Sequence, residues 1–392
     1  MNSAHTPGFS FSCAFSSAET WSAAAQELEE GLRDLKLETG RQFLGFLYIT
    51  DTMVEDFDLI LSYLRQKLGI ENWVGSVGMG IMAISGGISR ERYGKAGAVA
   101  MIGDFSDSAF RVVPCLCESL EELDDGFREW MRRVKPPFGV VHCDPMNAAV
   151  PKLIESVGQE MENAVFEVPG FLVGGLTSST GGQYQIANGL VSGGLSGALF
   201  SPDVEVATGL TQGCQLLGPM HMITDAAENV VMTLDGEAAL NVLKADIGEL
   251  PAQNLEQVAT CCHAAFPVVG SDTCDYLVRN LMGIDFDRGW LAVGDTVAVG
   301  DRIGFVRRDR KIAEEDLTSM VQGLLARISG KARGAIYFSC VARGANIFGA
   351  EGRETQIIRS TLGDVPLAGF FGQGEISNNR IYGYTGVLTL FL

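Results

Sequence analysis

One pattern occurs three times along this 392-residue chain, and it constrains the fold more than any other feature. Each copy begins with an apolar run typical of a buried strand: FLGFLYITD at 43–51, FGVVHCDP at 138–145 and RGAIYFSCVARG at 333–344. A helix-compatible stretch follows, and then a second apolar run that leads into glycine: NWVGSVGMG at 72–80, VPGFLVGGLTSSTGG at 168–182 and VPLAGFFGQGEI at 365–376. A third run closes each copy: AGAVAMIG, SGALF and TGVLTLF. Such internal repeats indicate one supersecondary unit used several times.

The repeat predicts an α/β fold. We expect strand-helix-strand-strand units that form mixed sheets covered by helices, in an arrangement that allows two sheets to pack face to face. In the first copy the helix is predicted over DFDLILSYLRQKLG, with Gly69 as its C-cap. The predicted organisation is an N-terminal segment at 1–39, a domain of two half-repeats at 40–202 and a second domain at 203–392. Within 203–330 the sequence also predicts a turn at Asp235-Gly236 and a short hairpin around Val299 to Asp301.

Charge and composition exclude several classes of protein. The 29 Lys and Arg residues against 48 Asp and Glu give a net charge of −19, which disfavours binding to nucleic acid and to anionic membranes. No apolar run reaches the about 18 residues of a membrane-spanning helix. The first residues lack the basic region of a secretion signal, and the nine cysteines lack CxxC spacing, so we expect reduced thiols and a cytoplasmic protein. Cys115 and Cys117 form a CxC in the strand-like run VVPCLC, which predicts core or edge thiols rather than zinc ligands.

The third copy also carries a resemblance to a known family. Its segments AIYFSCVARG, VPLAGFFGQGEI and GYTGVLTLF closely resemble the C-terminal FIST domain, and the first two copies resemble the paired half-repeats of the N-terminal FIST domain. The resemblance extends from about residue 40 to Leu392. It implies an intracellular sensory module that binds small ligands such as amino acids and works with signalling proteins such as a histidine kinase or a cyclase. A subset of the family is taken to bind haem and to sense nitric oxide.

Two departures from the family pattern bear on these expectations. Tyr382 stands ahead of GYTG where the family commonly has a histidine, so we expect no haem in the C-terminal site. Met79 and Met82 stand in the first copy where the family usually shows Ser or Thr, so that half-site is expected to be structural.

The first candidate site lies where two strands of the third copy end. Because two strand ends from one unit should lie near each other, the space between them is the predicted ligand pocket. Arg343 suits a ligand carboxylate, while Gln373 and Glu375 supply an amide and an acceptor, which together suit an amino acid. The alternative is a salt bridge between Arg343 and Glu375 that locks the two turns together. The predicted ligand-binding residues are Cys340, Arg343, Gly372, Gln373, Gly374, Glu375, Tyr384 and Thr385.

A second candidate site surrounds the Gly174-Gly175 turn of the second copy. Thr177, Ser178, Ser179 and Asn188 would form an uncharged cradle of hydroxyls and amides for an anion or an amide. The alternative is a polar loop whose hydroxyl groups bond to the chain's own backbone.

Two further functions stay open from the residues alone. Cys340 beside Arg343 would serve a hydrolase or transferase as nucleophile, with Glu375 or His263 as base. His142 and His221 lie in apolar runs where each would serve as an axial haem ligand or as a satisfied core histidine.

The sequence therefore predicts a cytoplasmic small-ligand-binding sensor of FIST type. Its expected ligand is an amino acid or a similar carboxylate metabolite, and no metal is expected. The chain shows no helix-turn-helix, kinase or cyclase signature, so signalling is expected to pass through a partner in trans. The alternatives are the Cys340-dependent enzyme and the haem-based nitric oxide sensor.

Overall fold

The structure is a computed structural model of the chain and describes residues 10–35, 40–164, 170–248, 262–268 and 276–392. The chain divides into two compact units. The first unit comprises Met1–Gln212 and Asp316–Leu392, and the second comprises Gly213–Glu315. Within the described ranges, no helix combines the length and the apolar composition needed to cross a membrane. The first nine residues of the predicted N-terminal segment lie outside the described residues.

Strands dominate both units. In chain order the described strands are β1 (Ser10–Ser16), β2 (Arg41–Thr50), β3 (Asn72–Gly78), β4 (Gly80–Ser85), β5 (Ile88–Tyr93), β6 (Ala98–Ser106), β7 (Phe110–Leu116), β8 (Phe138–Cys143), β9 (Phe171–Leu176), β10 (Tyr184–Ala187), β11 (Leu190–Ser192), β12 (Leu195–Phe200), β13 (Val206–Thr211), β14 (Cys214–Leu216), β15 (His221–Ala227), β16 (Val230–Leu234), β17 (Glu237–Ala238), β18 (Cys262–Pro267), β19 (Tyr276–Asp285), β20 (Trp290–Val293), β21 (Arg302–Arg308), β22 (Gly334–Cys340), β23 (Leu367–Gly372), β24 (Gly374–Ser377), β25 (Arg380–Tyr382) and β26 (Gly386–Phe391). The described α-helices are α1 (Trp21–Leu32), α2 (Phe57–Leu68), α3 (Asp125–Val134), α4 (Val150–Ala164), α5 (Ala239–Ile247), α6 (Arg310–Arg327), α7 (Ala345–Phe348) and α8 (Arg353–Leu362). Short 3-10 helices cover Asp51–Asp56 and Leu120–Glu122.

The first unit contains three six-stranded sheets. The first sheet has the order β1-β6-β2-β3-β10-β11, the second β25-β24-β9-β8-β12-β7 and the third β13-β26-β22-β23-β4-β5. In each sheet the strand that opens a copy of the repeat (β2, β8 or β22) has a parallel neighbour (β3, β9 or β23). Its other neighbour (β6, β12 or β26) is antiparallel. The three apolar runs are thus equivalent strands, and the predicted α/β class of mixed sheets covered by helices is confirmed.

Glycine is required at one equivalent position of each parallel pair. A Cβ atom on Gly75, Gly174 or Gly369 would overlap a carbonyl oxygen of the neighbouring strand. These glycines therefore permit close contact between strands, which is a structural role for part of the glycine-rich pattern.

Each sheet is completed by a hairpin from another copy of the repeat. The hairpin β4–β5 of the first copy pairs with β23 in the third sheet, and β10–β11 of the second copy pairs with β3 in the first sheet. The hairpin β24–β25 of the third copy pairs with β9 in the second sheet. The three copies are therefore interlocked in a closed cycle.

The inner faces of the three sheets share one apolar core. It contains the fully buried side chains of Phe46, Tyr48, Val140, Phe338 and Phe370. The rings of Tyr48 and Phe370, from the first and third sheets, stack with their centroids 5.2 Å apart. Burial of aromatic side chains on this scale is a main source of stability.

Helices cover the outer faces of the sheets. Helices α1 and α2 pack on the first sheet through Leu28, Phe57 and Leu64, and α2 ends as predicted at Gly69, which has a left-handed φ of 67°. Helices α3 and α4 pack on the second sheet through apolar residues that include Phe127 and Trp130. Helix α8 packs against β4 and β5 of the third sheet.

The second unit contains a closed sheet and helix α5. Strands β15, β16, β20, β19, β18 and β21 pair in that cyclic order, because β21 also pairs with β18. The predicted turn at Asp235-Gly236 is present between β16 and β17. The predicted hairpin around Val299 to Asp301 is wrong, because β21 pairs with β14, β15 and β18, while β20 pairs with β16 and β19.

Candidate functional site

The predicted residues of the third copy lie together at the carboxyl ends of β22 and β23. Cys340 and Gly372 are paired in the sheet, and the Cys340 backbone N–H donates to the Thr385 carbonyl at 3.0 Å. The Arg343 backbone N–H donates to the Cys340 carbonyl at 2.8 Å. We refer to Cys340, Arg343, Gly372, Gln373, Gly374, Glu375, Tyr384 and Thr385 as the strand-end cluster. Gln373 is exposed, and Tyr384 is half-buried with a positive φ of 65°.

The Arg343 side chain is fully buried and pairs with Glu354 of α8, with 3.0 Å between Nε and Oε1. The hydroxyl groups of Tyr337 and Ser339 donate to the same oxygen at 2.6 and 3.0 Å. The Gly344 backbone N–H donates to the other carboxylate oxygen at 3.2 Å. Glu354 is thus the centre of a buried network of hydrogen bonds that anchors α8 to β22.

The salt bridge considered for Arg343 therefore forms with Glu354 and not with Glu375. A second arginine nitrogen, Nη1, donates to the Thr211 carbonyl at 3.4 Å. The third, Nη2, is buried without a hydrogen-bond partner among the described residues. Most of this guanidinium is consequently committed to contacts within the protein.

Glu375 is fully buried on β24 and bonds to Thr385. Its Oε2 atom accepts hydrogen bonds from the Thr385 backbone N–H at 3.1 Å and from the Thr385 hydroxyl at 2.7 Å. Burial raises the pKa of Glu375 to about 8, although the Thr385 bonds and the charge of Arg343 lower it in part. The carboxyl group is therefore mainly protonated at neutral pH. In that state it offers neither a negative charge for a ligand ammonium group nor a base for Cys340.

The second candidate set reaches the same edge of the fold. The Ser178 hydroxyl donates to the Phe371 carbonyl at 2.6 Å and accepts from the Met79 backbone N–H at 2.8 Å. The Thr177 hydroxyl donates to the Gln183 side chain at 2.8 Å. The Ser179 hydroxyl donates to Asp51. Burial acts to raise the pKa of Asp51, but hydrogen bonds from Ser179 and Thr180 outweigh it and lower the pKa. The Ser178 and Ser179 hydroxyl groups thus connect turns of different copies, whereas the Thr177 hydroxyl bonds within its own loop.

Asn188 is separated from Thr177, Ser178 and Ser179 because it lies at the other end of β10. Its backbone N–H donates to the Trp73 carbonyl at 2.9 Å, and its side-chain oxygen accepts from the Trp73 backbone N–H at 3.0 Å. This position is beside the amino end of β3.

The residues considered for catalysis and haem binding are distributed over both units. Cys340 is in the first unit with 5% of its surface exposed, whereas His263 is on β18 of the second unit. His142 is fully buried in the shared core, where its Nε2 atom lies 3.1 Å from the Tyr48 hydroxyl, and burial lowers its pKa to about 3. His221 lies between two carboxylates of the second unit, and Tyr382 is buried on β25. His142 thus packs as a core histidine.

A cavity of about 490 Å³ opens elsewhere on the first unit. It lies at the amino ends of β2 and β3. The strand-end cluster lies instead at the carboxyl ends of β22 and β23. We refer to this cavity as the Arg111 pocket. Its lining residues are Gln42, Asn72, Ser108, Phe110, Arg111, Val112, Pro114, Asp124, Phe127, Trp130, Ala187 and Asn188.

Arg111 is held in this pocket by contacts that leave part of its guanidinium accessible. Its Nη1 atom donates to the Gly126 carbonyl at 2.7 Å, and its guanidinium carbon lies 5.2 Å from the centre of the Phe127 ring. Its Nη2 atom is 3.9 Å from Asp124, which also caps α3 by accepting from the Phe127 backbone N–H at 2.7 Å. The pocket therefore presents a cation, an anion and an aromatic surface close together, and Trp130 extends that surface.

Sequence reasoning missed Glu354 and all the lining residues of the Arg111 pocket except Asn188. Glu354 lies eleven residues after Arg343 in a polar helix, and no local pattern singles it out. Arg111 could have been found from the sequence, because it is a charged residue within the apolar run FRVVPCL, shortly before the helix-capping pattern DDGF.

Comparison with known proteins identifies the family. The FIST N domain matches residues 44–237, and the FIST C domain matches residues 239–378. The chain belongs to the FIST family. All residues of the Arg111 pocket except Gln42 fall in the FIST N match, whereas Arg343, Glu354 and Glu375 fall in the FIST C match.

The relatives of this FIST protein have no assigned activity in their names. An uncharacterised protein of Mycobacterium tuberculosis is 31% identical over 215 residues, which cover 52% of this chain and 55% of the relative. An uncharacterised protein of Mycobacterium bovis is 31% identical over 195 residues, which cover 47% and 50%. The chain spans about half the length of the curated relatives that it matches.

One solved structure aligns over almost the whole FIST chain. Cyanuric acid hydrolase from A. caulinodans covers 98% of this chain and 99% of its own, with 8% identity and a TM-score of 0.38. Similarity at this level supports no statement about fold or function.

Proposed function

We propose that this protein is a small-ligand-binding sensor of FIST type, that its ligand is an amino acid or a similar carboxylate, and that the ligand binds in the Arg111 pocket. The observation that supports the site is the combination of Arg111, Asp124 and an aromatic wall in one cavity of about 490 Å³. Pockets for small molecules commonly measure about 300 to 1,000 Å³ and combine an apolar wall with a few polar groups.

The chemistry of the pocket suits a zwitterion. A guanidinium has five N–H donors, and the Gly126 carbonyl uses only one nitrogen of Arg111, so a ligand carboxylate can be bound in a forked geometry. Asp124 would receive the ligand ammonium group. The amides of Asn72 and Asn188 also line the cavity and supply hydrogen bonds that fix orientation.

The strand-end cluster supports ligand binding less well. Arg343 is fully buried and already paired with Glu354, and Glu375 is mainly uncharged at neutral pH. A ligand carboxylate would have to displace Glu354 from four hydrogen bonds. The Arg111 pocket requires no such displacement.

Ligand binding can be tested by thermal unfolding and isothermal titration with the amino acids, each beside its decarboxylated amine and its desamino acid. A ligand at 100 times its Kd should stabilise the folded state by about 2.7 kcal/mol. We expect an amino acid to bind and both of its truncated relatives to bind more weakly. Failure of every amino acid to stabilise the protein would contradict the proposal.

A lysine substitution tests the site. Arg111→Lys keeps the charge but removes the forked geometry, so we expect binding to be lost while the fold persists. Arg90→Lys is the matched control, because Arg90 also donates to a backbone carbonyl, that of Ser85, and stacks on an aromatic ring, that of Phe15. If Arg111→Lys retains full affinity for an identified ligand, the ligand binds elsewhere, and Glu375→Gln becomes the next variant to titrate.

The proposal includes signalling through a partner in trans, of the histidine kinase or cyclase type that the family resemblance implies. The ligand would change the activity of that partner. The measurement is the rate of a reconstituted kinase or cyclase with and without this protein and its ligand, and a rate independent of both would remove this part of the proposal.

A further inference from the structure

Two thiol groups lie side by side at the edge of the second sheet. Cys115 is near the end of β7, the outermost strand of that sheet, and Cys117 follows two residues later. Their sulfur atoms are 3.9 Å apart, and both residues are partly exposed. A small ion can therefore reach both sulfurs from solvent.

The backbone holds the two thiols in place independently of their mutual contact. The Glu122 carboxylate accepts hydrogen bonds from the backbone N–H groups of Cys117, Glu118 and Ser119 at 3.0, 2.7 and 2.9 Å. The Asn147 side chain donates to the Cys117 carbonyl at 2.7 Å. The pair is thus preorganised, which lowers the cost of binding.

The absence of a side chain at Gly194 also makes room for this pair. A Cβ atom on Gly194 would lie 2.9 Å from the Cys115 sulfur and would overlap the Leu116 carbonyl. The Cys115 sulfur itself is 3.4 Å from the Ser192 carbonyl. The thiol is therefore enclosed on the side facing β12 and open on the other.

The number of donors selects the kind of ion. In the part of the chain that the structure describes, no three His, Cys, Asp or Glu side chains are arranged to hold a metal ion. Structural zinc requires four ligands, whereas Cu(I) is a soft ion that thiolates select and that two sulfurs suffice to bind. We propose that Cys115 and Cys117 bind one Cu(I) ion through both sulfurs.

Binding exchanges protons for the metal ion. Both thiols must lose their protons when the two Cu–S bonds form, so one Cu(I) entering the site releases two protons and no electron is transferred. The apparent affinity should therefore rise with pH.

The test is an anaerobic titration of the reduced, metal-free full chain with Cu(I) against a chromophoric Cu(I) chelator. We expect one tightly held equivalent that is lost in Cys115→Ser and in Cys117→Ser. The loss of affinity should exceed about 100-fold, since changes to outer-shell partners alone cost 10- to 100-fold at metal sites. The matched control is Cys214→Ser, which alters another partly exposed thiol in the second unit and should keep this equivalent.

Two further measurements make the result specific. Zn(II) titrated in the same way should not compete for this equivalent, and the affinity for Cu(I) should rise between about pH 6 and about pH 8, because binding of the metal ion releases protons. Retention of the tight equivalent in both serine variants would overturn the proposal. Equal displacement by Zn(II), or an affinity for Cu(I) that does not change with pH, would overturn it as well.

Discussion

Replacing Glu354 by glutamine should strongly destabilise the first unit. Glutamine has nearly the same shape and keeps one oxygen acceptor, so the substitution removes the negative charge without creating a cavity. Arg343 would then be left fully buried without the carboxylate that forms its ion pair, since Glu354 is that partner. Removing one partner of a buried ion pair costs about 3 to 5 kcal/mol. That loss is a large part of the about 5 to 15 kcal/mol by which domains are usually stable.

A double-substitution cycle separates the charge from the other contacts. Arg343→Met removes the cation, and in the double variant the glutamine oxygen remains as an acceptor for the Tyr337 and Ser339 hydroxyl groups. The double variant should therefore be more stable than Glu354→Gln, with a coupling energy of about 2 kcal/mol or more. The control is Glu30→Gln, which breaks the exposed ion pair of Glu30 with Arg33, with side chains 68% and 65% exposed, respectively. There we expect the free energy of unfolding to change by less than about 1 kcal/mol.

The assay must report on the first unit alone. Of the four tryptophans, Trp290 is in the second unit, and the others are in the first. Urea unfolding followed by fluorescence in a Trp290→Phe background therefore reports on the first unit. A cost below about 1 kcal/mol for Glu354→Gln, or no recovery in the double variant, would refute the argument that the buried charge of Arg343 depends on Glu354.

Three other predictions follow from the fold and the buried titratable groups. Gly174→Ala should prevent soluble expression, because the added Cβ would overlap the Val141 carbonyl. Gly323→Ala is the matched change in α6, where an added Cβ would have no neighbour within 4 Å, and it should raise the free energy of unfolding in urea by about 0.5 to 1 kcal/mol. The pKa of Glu375 rises from 4.5 to about 8 on folding, so its contribution to the stability of the folded state is complete below pH 4.5 and is lost as pH rises through 8. The melting temperature should therefore fall between these two pH values, by the equivalent of at most about 1.4 kcal/mol per pH unit. Glu375→Gln should reduce this fall. The imidazole of His142 should remain neutral in NMR titrations down to about pH 4, because burial lowers its pKa to about 3; protonation near pH 6.5 would contradict its place in the core.

Local sequence patterns predicted the strands and part of the site. The remaining features depend on pairing between distant segments of the chain and could not be predicted. The apolar runs at 43–51, 138–145 and 333–344 are long and bounded by turn residues, so β2, β8 and β22 could be recognised. The exchange of hairpins could not be predicted, because an apolar run such as β4 has the same sequence pattern whether it pairs with its own copy or with β23. Likewise, the sequence predicts that Arg343 lies near the end of β23, but no local pattern predicts that it pairs with Glu354 of α8 and not with Glu375.

The order of synthesis conflicts with the order in which the third sheet can assemble. Hairpin β4–β5 emerges from the ribosome before its partner β23 and the strand β26 have been made. Until then the hairpin presents unpaired backbone groups, which are a template for aggregation. A truncated product that ends before Leu367 would leave this hairpin permanently without its sheet. Because the first copy depends on the third, a stable first unit requires both, and we expect nascent chains that lack β23 to need protection from aggregation.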